Sequence, residues 1–304
     1  MKTAIVTDSA FYMNRNIIDE CQIKQVPLTI NFDDTSFKED QFDAKQIEEI
    51  FARIDKTHEI PKTSQPTTEE WNSCFEDLIS QGYERILVFT ISIKISGTFY
   101  GAQTAGDMFM ETHPNISVEV FDSGSEGNGA GIVLCDILKE MQRRNGLTKE
   151  EIQEIIDWHK KALQVYLIVD DLKYLSYGGR IPSTIAKLGN ALRIKPLIVL
   201  PEGELIEHSK HVSSKKAIKQ IYDLLEHDTK GQTIPFYFSA ANLFAQDAVE
   251  SYGEVIKEAS HTDLIIIPYA SFGGSIGAHV GPQAIGYGWS IPFEYKDQAK
   301  SNCF

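Results

Sequence analysis

The chain has 304 residues, 42% of them hydrophobic, with a formal net charge of −14 and a pI near 5.0. That length accommodates two domains or one large one, and the acidic balance argues against nucleic acid or an anionic membrane as the main partner, because both require basic patches. No apolar run approaches the roughly 18 residues that a membrane span needs.

The chain enters a strand-like run, Thr3 to Thr7, without a signal-peptide pattern. The four cysteines, Cys21, Cys74, Cys135 and Cys303, are scattered and none has CxxC spacing. Neither a zinc site nor a disulfide framework is indicated, and a soluble cytoplasmic protein with free thiols is expected. The first strand stops at Asp8-Ser9, a pair that serves a turn or a ligand loop. Val26 to Phe32 reads as a second strand, and the spacing of Ile47, Ile50, Phe51 and Ile54 as a helix over Phe42 to Ile54. Two prolines make Ile60 to Pro66 an extended loop. Thr67 or Thr68 then caps a helix over Glu69 to Gln81, which Gly82 ends.

Arg85 to Ile91 is an apolar run with the character of a buried strand, and Tyr100 to Met110 reads as a helix. Ser96, Gly97 and Thr98 therefore sit at a strand-to-helix turn, where backbone N–H groups, hydroxyls and the helix dipole favour an anion. About thirty residues upstream lies a second hydroxyl-rich turn, Lys62-Thr63-Ser64-Gln65-Pro66-Thr67. Thr63 and Ser96 are expected to share one small anionic ligand, although Ser and Thr at such places also serve as plain helix caps.

Val118 to Phe121 is a further strand, again ending in Asp-Ser (Asp122-Ser123), which suggests similar loops at one edge of a parallel sheet. Helices follow over Gly127 to Met141 and from Thr148 to about Leu163, the latter opened by a box-like acidic pattern. This alternation predicts an α/β domain with a mainly parallel sheet over residues 1–163. Ligands of such sheets sit beyond the carboxyl ends of the strands, where the Ser96 turn lies.

A second α/β unit is expected over residues 164–304. It has strands at Val165–Val169, Ile194–Leu200, Thr233–Phe238 and Asp263–Pro268, and helices at Leu172–Gly179, Lys215–Glu226 and Leu243–Ala259. It closes with a glycine-rich run, Gly273 to Pro282, that leads to a proline rather than visibly into a helix.

Five segments, in order, resemble one family: Lys62-Thr63-Ser64-Gln65-Pro66, Ser96-Gly97-Thr98, Leu172-Lys173-Tyr174-Leu175 with Gly178-Gly179-Arg180, Ile194-Lys195-Pro196, and Gly277-Ala278-His279-Val280-Gly281-Pro282. Together they resemble the DegV family, the bacterial fatty-acid-binding proteins. The resemblance implies a two-domain α/β carrier that buries one long-chain fatty acid, without a cofactor or catalysis of its own. It implies as partner a separate fatty acid kinase, which phosphorylates the bound carboxylate to an acyl-phosphate that feeds phospholipid synthesis. The head-group residues it implies are Thr63, Ser96 and His279, with Gly97 and Thr98 in the serine turn. Where family members commonly carry a second serine, this chain has Ile93. Arg180, with Lys173 and Lys215, is a candidate docking spot for the kinase.

Elementary energetics allow such a carrier. Burying about fourteen methylenes contributes at most ~11 kcal/mol, and ordering the tail subtracts several. The carboxylate then needs charge-assisted hydrogen bonds, since it cannot be buried bare. Two other classes compete. A nucleotide-dependent phosphotransferase would want a GxxxxGK[ST] or GxGxxG loop, and neither pattern occurs in context. A lipid serine hydrolase would use Ser96 with His279, but no GxSxG elbow surrounds Ser96.

Overall fold

The computed structural model describes residues 2–40, 42–169, 171–178, 194–244 and 246–300. Along the first half run β1 (Thr3–Asp8), α1 (Arg15–Glu20), β2 (Lys24–Val26), β3 (Thr29–Asn31), β4 (Ser36–Lys38), α2 (Ala44–Thr57), β5 (Lys62–Ser64), α3 (Thr68–Ser80), β6 (Arg85–Thr90), α4 (Thr98–Thr112), β7 (Ser117–Asp122), α5 (Gly127–Arg144) and α6 (Lys149–Ala162). Strands β2, β1, β6 and β7 form a parallel sheet in that order. The central strands β1 and β6 are buried along almost their whole length, which is why Arg85 to Ile91 reads as one continuous apolar run. The register sets Asp8 beside Val26 and Thr90 beside Asp122, so the carboxyl ends share one edge. Thr67 and Thr148 both close full capping boxes, with Glu70 and Glu151.

The stretch Val26–Phe32, expected as one strand, is two strands in two sheets. Pro27 has no N–H to give a ladder, and the chain turns there from β2 to β3. β3 pairs antiparallel with β4 on one side and with β5 on the other. The segment expected as a free extended loop, Lys62–Ser64, is thus a sheet edge that fixes Thr63 opposite Ile30.

The second half carries β8 (Gln164–Ile168), α7 (Leu172–Gly178), β9 (Lys195–Val199), β10 (Ile206–His211), α8 (Ser214–Thr229), β11 (Phe236–Asn242), α9 (Gln246–Glu258), β12 (Leu264–Ile266), β13 (Ala270–Ser271), α10 (Gly274–Val280) and β14 (Ile285–Ser290). Its sheet runs β10-β9-β8-β14-β11-β12, with β13 also on β11. Neighbours are antiparallel except β12 and β13, which run parallel to β11. Two elements of the glycine-rich end go beyond the sequence expectation. β14 is fully buried despite Gly286 and Gly288, and α10 forms where the sequence suggests an irregular run. Tertiary packing decides for α10. A Cβ at Gly277 would stand 2.9 Å from Phe51 Cζ and 3.0 Å from Leu243 Cδ2, so glycine lets this short helix settle against α2.

Candidate functional site

The serine turn begins at the carboxyl edge of the parallel sheet, between the end of β6 and the start of α4. Two aspartates from the neighbouring strands hold it. Fully buried Asp8 accepts Ile91 N–H at 2.9 Å and Ala10 N–H at 2.9 Å. Asp122 accepts Ile93 N–H at 3.3 Å and Gly124 N–H at 3.0 Å. The repeated Asp-Ser therefore does mark one edge, and the two carboxylates fix turn backbone. Burial pushes Asp8 up to about 7, against the pull of the Ile91 and Ala10 N–H bonds, and nearby Glu39 adds to the rise.

Within the turn, Ser96 Oγ lies 2.8 Å from Thr98 Oγ1 and accepts Thr98 N–H at 3.2 Å. Thr98 is fully buried, whereas Ser96 is half-buried. Gly97 supplies room: a Cβ there would stand 2.5 Å from Gln65 Oε1. Gln65 thus lies across the start of α4 and couples the two hydroxyl-rich turns. Ile93, where a second serine is common in the resembling family, is 38% exposed.

Thr63, on β5, places its Oγ1 2.8 Å from Nε2 of His279, in the last turn of α10. Thr63, Ser96 and His279 line one cavity of about 30 Å³, together with Leu28, Ile91 and Ile95. A second cavity of about 20 Å³ is walled by Val165, Leu167, Leu200 and Phe272. Glu126 and Ile276 border both. The first mixes polar and apolar side chains, the second is almost wholly apolar, and Ile276 is part of the wall they share. A wider surface cleft of about 370 Å³, lined by Glu154, Asp157, Trp158, Lys161, Phe293 and Lys296, shares none of these residues.

The five residues expected at the ligand are arranged in two ranks. Thr63, Ser96 and His279 reach the cavity; Thr98 stands behind Ser96, and Gly97 seats Gln65. Arg180 lies outside the described residues. Gln65, Glu39 and Ser275 are not among the residues the sequence points to. Gln65 stands within the Lys62–Pro66 motif, and Glu39 sits in a charged run, Lys38-Glu39-Asp40, that looks like surface.

A serine, a histidine and an aspartate do stand in line elsewhere. Ser290 Oγ is 2.8 Å from His159 Nδ1, and His159 Nε2 is 2.9 Å from Asp136 Oδ2. All three are at most 1% exposed, so a carbonyl substrate has no access to Ser290. Asp136 further accepts from Tyr237 O–H at 3.0 Å and Phe293 N–H at 2.7 Å. The line is a buried structural network.

Residues 2–291 match the family described as "Uncharacterised protein, DegV family". The chain belongs to the DegV family. Protein DegV of Bacillus subtilis is 32% identical over 292 residues, covering 95% of this chain and 99% of its own. The solved structure of DegV from Bacillus subtilis, described as a fatty acid binding protein, superposes with a TM-score of 0.79 at 27% identity, over 96% of this chain and 99% of that one. TM841 of Thermotoga maritima, whose structure is described as revealing fatty acid binding function, gives 0.82 at 25% identity with the same coverages. Fatty acid binding is thus a property of DegV proteins that share this fold. Among the described residues, no helix is long and apolar enough to cross a membrane, and no group of three or more His, Cys, Asp or Glu is placed to hold a metal.

Proposed function

We propose that this DegV protein buries one long-chain fatty acid and presents its carboxylate to a separate fatty acid kinase, which converts it to an acyl-phosphate for phospholipid synthesis. The chain itself is a non-catalytic, cytoplasmic carrier. Residues 1–163 form the domain offering Thr63 and Ser96, and residues 164–304 the domain offering His279. The reading rests on one observation: Thr63, Ser96 and His279, from three distant segments, converge on one cavity that abuts an apolar one.

The hydrogen-bond order suits an anion. If His279 Nε2–H donates to Thr63 Oγ1, the Thr63 proton is left to point at a ligand oxygen. If Thr98 O–H donates to Ser96 Oγ, the Ser96 proton is freed likewise. Each hydroxyl is fed from behind, so two O–H donors face one carboxylate, and the start of α4 adds its dipole.

Organic extraction followed by mass spectrometry of purified protein should yield a C14–C18 fatty acid. Folded protein that is empty and takes up no added fatty acid overturns the carrier reading. With fatty acid and Mg-ATP the chain should form no acyl-phosphate, trapped as hydroxamate, until the cognate kinase is added. Product from the chain alone would instead favour a phosphotransferase.

A further inference from the structure

Next to the cavity lined by Thr63, Ser96 and His279 lies a carboxylate that the head-group reading does not use. Glu39, just after β4, is 5% exposed. One face of it belongs to the first half of the chain: it accepts from Ser9 Oγ, which itself accepts Leu28 N–H at 2.9 Å. The other face belongs to the start of α10. Glu39 Oε1 accepts Ser275 N–H at 2.8 Å and Ser275 O–H at 2.7 Å, and Oε2 lies 2.8 Å from the same hydroxyl. Tyr12 O–H, 3.5 Å from Glu39 Oε1, accepts the next N–H of α10, from Ile276, at 3.3 Å. At Gly273 a Cβ would overlap Glu39 Oε1, so only glycine lets the backbone come this close.

A carboxylate this deep is costly unless its bonds are satisfied, and burial raises Glu39 above the usual carboxylate range against the pull of Ser9 and Ser275. A helix start needs no such device, since a single Ser or Asn caps one in solvent. What Glu39 adds is a tie between two sheets. Ser275 and His279 are four residues apart and so share one face of α10, and both line the cavity. Pinning Ser275 therefore sets the height and rotation at which His279 meets Thr63.

We propose that Glu39 is a positioning residue for the head-group site: by bridging Ser9 and Ser275 it holds α10 so that His279 Nε2 lies against Thr63. The consequence for binding rests on the carrier reading above, whereas the placement of His279 does not.

The test is a double-mutant cycle on delipidated protein, with Glu39→Gln, His279→Ala and both, read as affinity for palmitate. Glu39→Gln keeps the volume but turns an acceptor into an N–H₂ that faces serine donors. It should weaken binding about tenfold in the wild-type background and less than about threefold when His279 is already alanine, because coupled residues do not add. A merely structural role predicts equal losses in both backgrounds, which would overturn the proposal. An independent readout is the imidazole ¹H–¹⁵N spectrum of His279. Its Nε2 resonance should move in Glu39→Gln, and an unmoved resonance in folded variant overturns the proposal even without a ligand. If Glu39→Gln does not fold, Ser275→Ala, which keeps the backbone N–H bond, takes its place: unequal losses in the cycle and a moved resonance support the proposal, and equal losses or an unmoved resonance overturn it. Wild-type protein that binds no palmitate would defeat the carrier reading and leave the spectrum to decide the placement of His279.

Discussion

Ser96 shows how one side chain is prepared for its task. Its oxygen accepts Thr98 N–H at 3.2 Å and lies 2.8 Å from Thr98 Oγ1, so that a Thr98 O–H donating to it would leave the Ser96 proton for the cavity. Ser96→Ala should lower fatty-acid affinity about tenfold or more, since a hydrogen bond to a charged group contributes roughly 1.5–3 kcal/mol. Thr98→Val should cost less, because it removes only the group that orients Ser96, and it should cost nothing further in the Ser96→Ala background. A full additive loss in a fluorescence displacement assay would mean that Thr98 acts elsewhere. Thr63 and Ser96 are legible in the sequence as hydroxyls in turns at a sheet edge, although plain helix capping accounts for such residues equally well, and His279 is legible only through the family resemblance. Their supporters are not. Glu39 and Asp8 look like surface and turn acids in sequence, and only the folded chain reveals that their partners are Ser275, 236 residues away, and Ile91, 83 residues away.

At the scale of elements, strong local signals match the structure: the apolar core strands β1 and β6, the capped helices α3 and α6, and the amphipathic α2. The elements that the sequence hides draw their stability from neighbours. α10 contains two glycines in seven residues, a composition that opposes helix in isolation, and β14 alternates glycine with Tyr287 and Trp289, whose burial is decided by β8 and β11 on either side. Such an element should be sensitive to bulk rather than to propensity. Gly277→Ala would raise intrinsic helix propensity by roughly 1 kcal/mol, yet its Cβ would press on Phe51 and Leu243. Overpacking of this kind typically costs about 1–3 kcal/mol. The expected outcome is a lower urea midpoint and weaker fatty-acid binding together, because α10 carries His279. A raised midpoint would show that propensity outweighs the contact.

Across the whole molecule, the parallel sheet and the sheet of the second half are joined through α5. One hydrophobic core runs from Ile5 and Phe11 through Ile132 and Leu134 of α5 to Val165, Ile198 and Tyr237 of the second sheet. Beside it the Asp136–His159–Ser290 network links α5, α6 and β14. Burial pushes Asp136 up, but the bonds from His159, Phe293 N–H and Tyr237 outweigh it, and its carboxyl titrates below the usual range. Asp136→Asn would leave three donors facing one acceptor oxygen, and a buried donor left unmet costs about 1–3 kcal/mol, so the urea midpoint should fall. The two buried aspartates then oppose each other in pH. Asp136, lowered on folding, contributes stability that is present above the ordinary aspartate value near 4 and is lost as pH falls through its folded pKa. Asp8, raised on folding, contributes stability that is complete below about pH 4 and is lost as pH rises through about 7. Each unit of that displacement is worth about 1.4 kcal/mol. Between pH 5 and 8 the Asp136 contribution is constant, so the Asp8 contribution alone changes between this pair. Glu39 and Asp228, also raised by burial, slope in the same direction as Asp8. Delipidated protein should therefore lose stability as pH climbs from 5 to 8, with bound fatty acid excluded because a titrating ligand shifts apparent stability by mass action. Asp8→Asn cannot titrate, so its profile over the same window should be flatter than wild type, whatever the histidines contribute to both. Parallel urea-midpoint profiles for the two proteins from pH 5 to 8 would show that Asp8 stays ionised in the fold and that its two N–H bonds outweigh its burial.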